Sequence, residues 1–180
     1  MSVPQFPVLI DGQTIARRIH ELARELRVRA EEEPHFIAVL AGARPFADQL
    51  LLALGREKGA YDSIRLASYV GTESSGEVRL LKDLDHDVTG KRVVILEDIV
   101  DTGRTILALR SLLFERGAAS VETLTLLSKP SRRVVEVPLD GVGFEVPDLF
   151  VIGFGMDLDG KYRDLPYVGV YQAEEAERPA

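Results

Sequence analysis

Apolar residues recur along the chain with two different periods, and this alternation predicts a succession of strands and helices. Residues 93–96 read Val-Val-Ile-Leu, a continuous apolar run that is typical of a strand buried on both faces of a parallel sheet. Residues 106–116 instead repeat apolar positions at helical spacing, with Ile106, Leu109, Leu112 and Leu113 on one face. The same criteria predict further strands at residues 8–10, 36–40, 64–70, 78–84, 121–127 and 150–155, and further helices at residues 15–26 and 46–54.

This order of elements predicts an α/β fold, in which a mostly parallel, twisted sheet is flanked by helices on both sides. Residues 78–84 are expected to return as an antiparallel partner of residues 64–70, and residues 132–143 are expected to be connecting structure. A length of 180 residues favours one domain spanning the whole chain, 1–180. Its tail at residues 174–180 is predicted to be disordered.

Composition and charge narrow the classes of function. The chain has no cysteine, so disulfides, thiol chemistry and thiolate metal sites are excluded. A formal net charge of −7 argues against a general nucleic-acid binder, which would need a basic surface. No apolar run approaches the roughly 18 residues of a membrane span. No secretory signal is visible at the N-terminus, so a cytoplasmic location is expected.

The acidic stretch that follows the strand at residues 93–96 is the strongest candidate site. Glu97 and Asp98 come directly after the strand, and the sequence Asp-Thr-Gly-Arg-Thr at residues 101–105 leads into the next helix. Ligands of open α/β sheets bind outside the carboxyl ends of the strands, and the free N–H groups of a helix start attract anions. Because carboxylates suit a sugar's hydroxyls or a divalent cation, the stretch predicts a site for a phosphorylated sugar. An ordinary strand end with a capping residue is the alternative, but it does not explain the repulsion among these neighbouring carboxylates.

Three other segments are candidates for the same edge of the sheet. Small residues at 41–43 follow the strand at residues 36–40 and would let the backbone approach a phosphate, although a plain turn is equally compatible. Residues 71–76 are small and polar, and form either a lid over the chemistry or a surface hairpin; the lid is favoured. Lys129 follows the strand at residues 121–127, where it is either a ligand-binding group or a solvated strand end.

Together these motifs resemble the type I phosphoribosyltransferases, which bind phosphoribosyl pyrophosphate (PRPP), and among them the hypoxanthine-guanine phosphoribosyltransferases. The resemblance covers nearly the whole chain and is carried by residues 40–42, 68–69, 71–76, 97–103, 129, 144–148, 151–157 and 162–166. It implies the fold of that family, with a small hood formed by the chain ends. It also implies purine salvage, in which hypoxanthine or guanine reacts with PRPP to give IMP or GMP and pyrophosphate.

The resemblance further implies roles for individual residues. Glu97 and Asp98 would hold the ribose hydroxyls, directly or through magnesium (Mg²⁺), and Asp101 would be the general base. The 5′-phosphate would be cradled by Thr102, Gly103, Arg104 and Thr105, and the pyrophosphate would be bound by Ala41, Gly42 and Arg163. The purine would be bound by Lys129, Phe150, Val151 and Asp157, of which Asp157 would also reach a magnesium ion. The closing loop would contain Ser68 and Tyr69.

Several questions stay open at this point. Ala41 departs from the family, which often has Lys or Arg there, so a charge is missing from the pyrophosphate loop. Lys129 can only donate, which predicts a preference for 6-oxopurines over adenine but leaves hypoxanthine, guanine and xanthine undistinguished. A homo-oligomer, either a dimer or a tetramer, is expected from the resemblance. The alternative functions are a PRPP-sensing regulator that binds nucleic acid and, more weakly, a phosphoacceptor domain with an acidic pocket.

Overall fold

The computed structural model describes residues 6–29, 33–68 and 78–172. Its helices are α1 Gly12–Arg29, α2 Arg44–Ala53 and α3 Arg104–Glu115, with a 3₁₀ turn at Pro130–Arg132. Its strands are β1 Val8–Ile10, β2 His35–Val39, β3 Asp62–Ser68, β4 Val78–Lys82, β5 Arg92–Val100, β6 Ser120–Ser128, β7 Gly141–Glu145, β8 Val151–Ile152 and β9 Val168–Val170. Across these ranges no helix is both long and apolar enough to cross a membrane.

Six of the strands form the main sheet, in the spatial order β4-β3-β2-β5-β6-β7. β4 runs antiparallel to β3, and the remaining neighbours in this sheet are parallel. The predicted mostly parallel sheet and the antiparallel return after β3 are therefore confirmed. In such a sheet the carboxyl ends of the parallel strands meet at one edge, which is where the acidic stretch was expected.

The central strand β5 is buried on both faces, which is why its apolar run is continuous rather than alternating. Val94 and Leu96 belong to one hydrophobic cluster with residues of α1 and α2. Val93 and Ile95 belong to a second cluster with residues of α3. All four side chains are fully buried. Helices thus cover both faces of the sheet, as predicted, and they fix the position of β5 and of whatever follows it.

The other three strands form a small antiparallel sheet in the order β1-β9-β8. Its strands come from the two ends of the described chain, since Val8 of β1 pairs with Gly169 of β9. Phe6, Ile152 and Leu165 form its buried core. This sheet is the predicted hood from the chain ends, and we use that name for it below.

The expectation of connecting structure at residues 132–143 is wrong in part, because Gly141–Glu145 forms the edge strand β7, parallel to β6. Its sequence, Gly-Val-Gly-Phe-Glu, resembles a loop because glycine is depleted in strands. The glycines have a packing role here. A Cβ added at Gly143 would collide with the carbonyl oxygen of Leu126 on the neighbouring strand. Glycine at this position marks a close approach of two backbones rather than a break in the sheet.

The prediction of a long strand at residues 150–155 is also wrong, because β8 contains only Val151 and Ile152. The next three residues, Gly153, Phe154 and Gly155, have φ angles of 90°, 48° and 97°. Glycine adopts positive φ without a steric cost, so the two glycines turn the chain away from the sheet. An apolar run does not distinguish this turn from a strand.

Some predictions lie outside the described residues. These are the lid at residues 71–76, Tyr69 of the closing loop, and the tail at residues 174–180. The single domain over residues 1–180 stays a prediction.

At the sheet edge opposite the acidic stretch, the buried carboxylate of Asp62 accepts several backbone hydrogen bonds. Asp62, the first residue of β3, has a fully buried side chain. It accepts hydrogen bonds from the backbone N–H groups of Ser63 at 2.7 Å, Asp85 at 3.1 Å and His86 at 3.0 Å. Burial alone would raise the pKa of Asp62, but these donors outweigh burial and lower the pKa. Asp62 thereby ties the connection between β4 and β5 to the sheet.

We expect Asp62→Asn to destabilise the protein by about 1–3 kcal/mol at neutral pH, because one amide oxygen replaces two carboxylate oxygens as acceptor. Urea unfolding measures this loss, with the exposed Asp159→Asn as the control. The folded pKa of Asp62 is lowered, so its contribution is present above the unfolded value of about 3.9 and is lost as pH falls through the folded value. The free energies of unfolding of the parent and of Asp62→Asn should therefore become equal only in acid. Equal stability at neutral pH would show that the carboxylate does not hold this edge.

Candidate active site

The acidic stretch lies on the part of β5 that extends past its neighbour β2. Pairing between β5 and β2 ends at Leu96 and Ala38, whereas pairing between β5 and β6 continues to Val100 and Ser128. Glu97 and Asp98 therefore follow directly after the last residue of β5 that pairs with β2. The strand is longer than the predicted 93–96, and its extension carries both carboxylates at the carboxyl edge of the sheet.

Glu97 is a buried carboxylate beside the half-buried Asp98. Glu97 is only 6% exposed. The Asp98 N–H donates to Glu97 Oε1 at 3.2 Å, and the Ile99 N–H donates to Asp98 Oδ1 at 2.9 Å. Burial raises the pKa of the Glu97 carboxyl well above its ordinary value, and the negative charge of Asp98 raises it further. A cation or a set of hydroxyl donors would relieve this unfavourable pairing.

The acidic pair fits magnesium only as part of a larger ligand set. Among the residues described, no group of three His, Cys, Asp or Glu side chains could hold a metal ion by itself. Magnesium usually keeps several waters and is bound by one or two carboxylates together with substrate phosphates. Glu97 and Asp98 supply such a carboxylate pair, so the donor chemistry is compatible with magnesium brought in with a phosphorylated substrate.

A first cavity, of about 210 Å³, lies between the end of β5 and the start of α3. It is lined by Val39, Glu97, Ile99, Val100, Asp101, Thr102, Gly103, Thr105 and Ile106. Gly103 precedes α3 with a φ of 87°, and a Cβ there would lie 2.7 Å from the Val135 oxygen, so the turn requires glycine. The first turn of a helix carries N–H groups without intrahelical partners, which makes this cavity suitable for an anion. Arg104, predicted for the same set, has an exposed side chain and does not line the cavity.

A second cavity, of about 250 Å³, lies beside the first one. It is lined by Asp98, Ile99, Asp101, Lys129, Phe150, Val151, Met156 and Asp157. This set contains all four residues predicted to bind the purine. Lys129 is 8% exposed and Phe150 is 52% exposed, so the cavity combines a largely buried cation with an accessible aromatic ring. Met156, which was not predicted, adds an apolar wall.

Asp101 lies where the two cavities meet. Ile99 and Asp101 line both of them. The Asp101 side chain is 41% exposed, unlike that of buried Glu97. A carboxylate in this position can accept a proton from a group in one cavity while a second ligand occupies the other.

Arg132, expected in connecting structure, contacts this carboxylate. Its Nε donates to Asp101 Oδ1 at 3.1 Å, and its Nη1 lies 3.6 Å from Asp148 Oδ2. Lys129 Nζ lies 3.8 Å from Asp148 Oδ1. Asp101, Arg132, Asp148 and Lys129 thus form a row of alternating charges, and the two at its ends, Asp101 and Lys129, line the second cavity. Arg132, Asp101 and Asp148 are about half exposed, so each pair contributes roughly 0–1 kcal/mol to stability, and the arrangement matters more for geometry. A second cation shortly after Lys129 was the only sequence signal for this contact.

Arg163 and Asp157 bind each other across a tight turn. Arg163 Nη2 lies 2.7 Å from Asp157 Oδ1, and Arg163 Nη1 donates to the Gly155 oxygen at 2.6 Å. The Gly160 N–H donates to Asp157 Oδ2 at 2.6 Å. A Cβ at Gly155 would collide with the oxygen of Gly42. This contact brings Gly155, to which Arg163 binds, against Gly42 of the loop after β2.

The loop after β2 lies directly against the acidic pair. Its Leu40–Ala41 peptide bond is cis. Gly42 is buried, and a Cβ there would collide with the Asp98 carboxylate. Ala41 is exposed. Ser68, predicted for the closing loop, is the last residue of β3.

A larger cavity, of about 790 Å³, lies elsewhere, beside β6 and β7. Arg133, Val137, Leu139 and Glu145 are among its lining residues, and it shares none of them with the two cavities at the acidic stretch. Volume alone therefore does not mark the site. The chemistry of the lining residues does, and it favours the two smaller cavities.

Comparison with known proteins gives the family. A family model for the phosphoribosyl transferase domain matches residues 9–159. The chain belongs to the phosphoribosyltransferase family. This phosphoribosyltransferase is 43% identical over 169 residues to the hypoxanthine-guanine phosphoribosyltransferase of Streptococcus thermophilus (strain CNRZ 1066), with 93% of each chain covered. It is 43% identical over 165 residues to the hypoxanthine-guanine phosphoribosyltransferase of Bacillus subtilis (strain 168), with 91% of each covered.

Solved structures of the family have the same fold. A hypoxanthine-guanine phosphoribosyltransferase from Bacillus anthracis superimposes with a TM-score of 0.86 at 37% identity, covering 93% of this chain and 100% of that one. The hypoxanthine phosphoribosyltransferase of Trypanosoma cruzi, in complex with the product IMP, superimposes with a TM-score of 0.85 at 34% identity. The match covers 97% of this chain and 99% of that one. The predicted fold and family are therefore confirmed.

We expect Glu97→Gln to raise the thermal stability of the ligand-free and metal-free phosphoribosyltransferase. Because the folded pKa of Glu97 is raised, its ionised form opposes folding above the unfolded value of about 4.3, and a neutral amide removes this cost. A gain on the order of 1 kcal/mol would raise the melting temperature by roughly 2–4 °C at neutral pH.

The same substitution should make no difference near pH 4, where the parent carboxyl is itself protonated. Calorimetry at both pH values measures this, with the exposed Glu115→Gln on α3 as the control. A lower melting temperature for Glu97→Gln at neutral pH would contradict the unfavourable pairing of Glu97 with Asp98.

Proposed function

We propose that this protein is a purine-salvage enzyme, a hypoxanthine-guanine phosphoribosyltransferase. It joins hypoxanthine or guanine to the ribose of PRPP and releases IMP or GMP together with pyrophosphate. The observation that carries this proposal is the position of Asp101 between two cavities. One cavity suits a phosphate at a helix start, and the other offers a cation and an aromatic ring to a purine. The relatives named as this enzyme, at 43% identity, support the same conclusion.

The first cavity is assigned to the sugar-phosphate half of PRPP. Thr102, Gly103 and Thr105 line it at the start of α3 and would bind the 5′-phosphate. Glu97 and Asp98, whose pairing is unfavourable without a ligand, would hold the ribose hydroxyls directly or through magnesium. Magnesium bound with PRPP would supply positive charge to stabilise the leaving pyrophosphate.

The pyrophosphate is assigned to the place where Gly155 packs against Gly42. Arg163 is anchored there by its bond to the Gly155 oxygen, and its planar guanidinium suits a phosphate group. Gly42 has no side chain, so the backbone of this loop can lie close to Asp98 and to a phosphate bound beside it. Ala41 adds no charge, so binding at this loop depends on backbone and on Arg163.

The second cavity is assigned to the purine. Lys129 would donate to the 6-oxygen of the base, and since an ammonium group cannot accept from an amine, adenine is disfavoured. Phe150 would stack on the ring through its accessible face. Val151 and Asp157 line the same cavity and would read the edge of the base with backbone groups.

Asp101 is assigned as the general base. The purine nitrogen must lose a proton as it attacks the anomeric carbon, and a carboxylate within reach can accept that proton. Arg132 binds Oδ1 of Asp101, so we assign the proton to Oδ2. This separates the role of Asp101 from that of Glu97 and Asp98, which lie deeper on β5.

We place the enzyme in the cytoplasm as a homo-oligomer, a dimer or a tetramer, with no membrane or nucleic-acid partner. Family membership supports the oligomer, and light scattering measures it. A net charge of −7 opposes binding to the phosphate backbone of nucleic acids. No observation favours the regulator over the enzyme.

The deciding experiment offers hypoxanthine, guanine, xanthine and adenine in turn, each with PRPP and magnesium, and measures nucleotide formation. Hypoxanthine and guanine should give IMP and GMP, and adenine should give no AMP. The proposal would be overturned if adenine were the only base that gave a nucleotide, or if none of the four bases gave one.

We expect Lys129→Ala to impair the use of hypoxanthine and guanine far more than the binding of PRPP. Loss of a charged hydrogen bond costs about 1.5–3 kcal/mol, which corresponds to roughly 10- to 150-fold in kcat/KM for the base. Lys58→Ala, which removes an exposed lysine far from the site, is the matched control. Parent-like use of both bases by Lys129→Ala would reduce Lys129 to a solvated strand end.

We expect Asp101→Asn to slow the chemical step by roughly 10²- to 10⁴-fold, because an amide is a poor base. Asparagine is nearly isosteric, and Gly103 rather than Asp101 is the N-cap of α3, so folding and PRPP affinity should stay close to those of the parent. Single-turnover rates are the measurement, since product release can hide part of the effect in steady state.

Asp148→Asn is the matched control for Asp101→Asn, because Asp148 also pairs with Arg132 but lines neither cavity. Its single-turnover rate should stay within a few-fold of the parent. If Asp101→Asn behaved in the same way, Asp101 would be only an ion-pair partner of Arg132 and not the base.

A further inference from the structure

The Phe150 ring is too exposed for its own surroundings to fix its orientation. It lines the second cavity, yet 52% of the residue is exposed. A ring with so much free surface has few neighbours to fix its orientation, whereas stacking on a purine requires one orientation. Its aromatic neighbour is Tyr171, with ring centroids 5.9 Å apart and an angle of 69° between the planes. This edge-to-face arrangement is one of the favourable geometries for an aromatic pair.

The register of the hood places these two rings side by side. β8 and β9 are antiparallel, with Val151 opposite Val170. Phe150 precedes β8 and Tyr171 follows β9, so they are the next residues to face each other along the same ladder. The Tyr171 N–H donates to the Phe150 oxygen at 2.8 Å, which continues the pairing past the strand ends. Cross-strand neighbours of this kind are the contacts through which one strand orients a side chain on the next.

Tyr171 is in turn anchored in the hood. Its ring lies 5.8 Å from that of Phe6 and 6.4 Å from that of Tyr162. Phe6 is 3% exposed and makes its own edge-to-face contact with Tyr162 at 4.9 Å. The exposed Phe150 is thus connected through Tyr171 to a buried aromatic cluster, whereas Tyr171 itself does not line either cavity.

We infer that Tyr171 is a positioning residue for the purine: it fixes the orientation of the Phe150 ring on which the base stacks. The inference deepens the proposed function and rests on it, because it needs Phe150 to be the stacking surface. Tyr171 acts only through Phe150, so its removal should affect recognition of the base. Binding of PRPP, whose 5′-phosphate and pyrophosphate are assigned to places away from Phe150, and the proton transfer to Asp101 should both be spared.

The test compares Tyr171→Ala and Tyr171→Phe in steady-state assays with hypoxanthine and with guanine. Tyr171→Ala removes an aromatic pair and should raise the KM for both bases by about 3- to 10-fold. The KM for PRPP and kcat at saturating base should stay within about twofold of the parent. Tyr171→Phe keeps the ring and should restore the parent's KM for the bases.

Tyr167→Ala is the matched control. Tyr167 packs against the same hood core, but the described ring contacts of Phe150 do not include it. It should perturb the hood without raising the KM for the base. If Tyr167→Ala and Tyr171→Ala raised this KM equally, the effect would reflect general damage to the hood, and the inference would fail.

A double-mutant cycle with Phe150→Ala gives the sharpest result. If Tyr171 acts through Phe150, then Tyr171→Ala added to Phe150→Ala should change the KM for the base by less than about twofold. Independent effects that multiply would overturn the inference. A parent that forms no nucleotide would instead overturn the proposed function. An active parent whose KM rises in Phe150→Ala but not in Tyr171→Ala would overturn only the role of Tyr171.

Discussion

The central strand β5 pairs with its two neighbours over unequal lengths, and this difference determines where the active site lies. β5 pairs with β6 as far as Val100, but its pairing with β2 stops at Leu96. The last part of β5 is therefore held in place on one side and accessible from the other. A strand fixed by buried residues on both faces can carry Glu97 into a buried position beside Asp98, where the charge of Glu97 is poorly solvated. The two cavities, the start of α3 and the contact with Gly42 all depend on this extension.

Much of the fold was predictable because its central strands are buried on both faces and its helices on one. Such burial leaves either a continuous apolar run or a helical period in the sequence. The two errors, at residues 132–143 and 150–155, share a physical cause. In β7 glycine allows two backbones to approach closely, and after β8 it allows positive φ. A single sequence does not distinguish these two uses of glycine from each other or from an ordinary loop.

The candidate site was predictable to the extent that it follows the order of the chain. The carboxyl edge of a parallel sheet collects strand ends, so Glu97, Asp101 and Lys129 could be placed together before any coordinates. Contacts that depend on the conformation of turns could not. Arg132 reaches Asp101 from a 3₁₀ turn, and Arg163 pairs with Asp157. Their side chains reach their partners through backbone conformations that hydrophobic patterning does not encode, so their contacts emerge only from tertiary structure.

The hood has a consequence for the order in which the site can assemble. β1 lies near the beginning of the chain and finds its partner only in β9, after the main sheet has been synthesised. Domains begin to fold during synthesis, and contacts between distant segments form late. The phosphate cavity, built from β5 and α3, can therefore mature while the ribosome is still adding the purine-facing segments. We expect nascent chains of this protein to pass through a stage in which one substrate has a place to bind and the other does not yet have one.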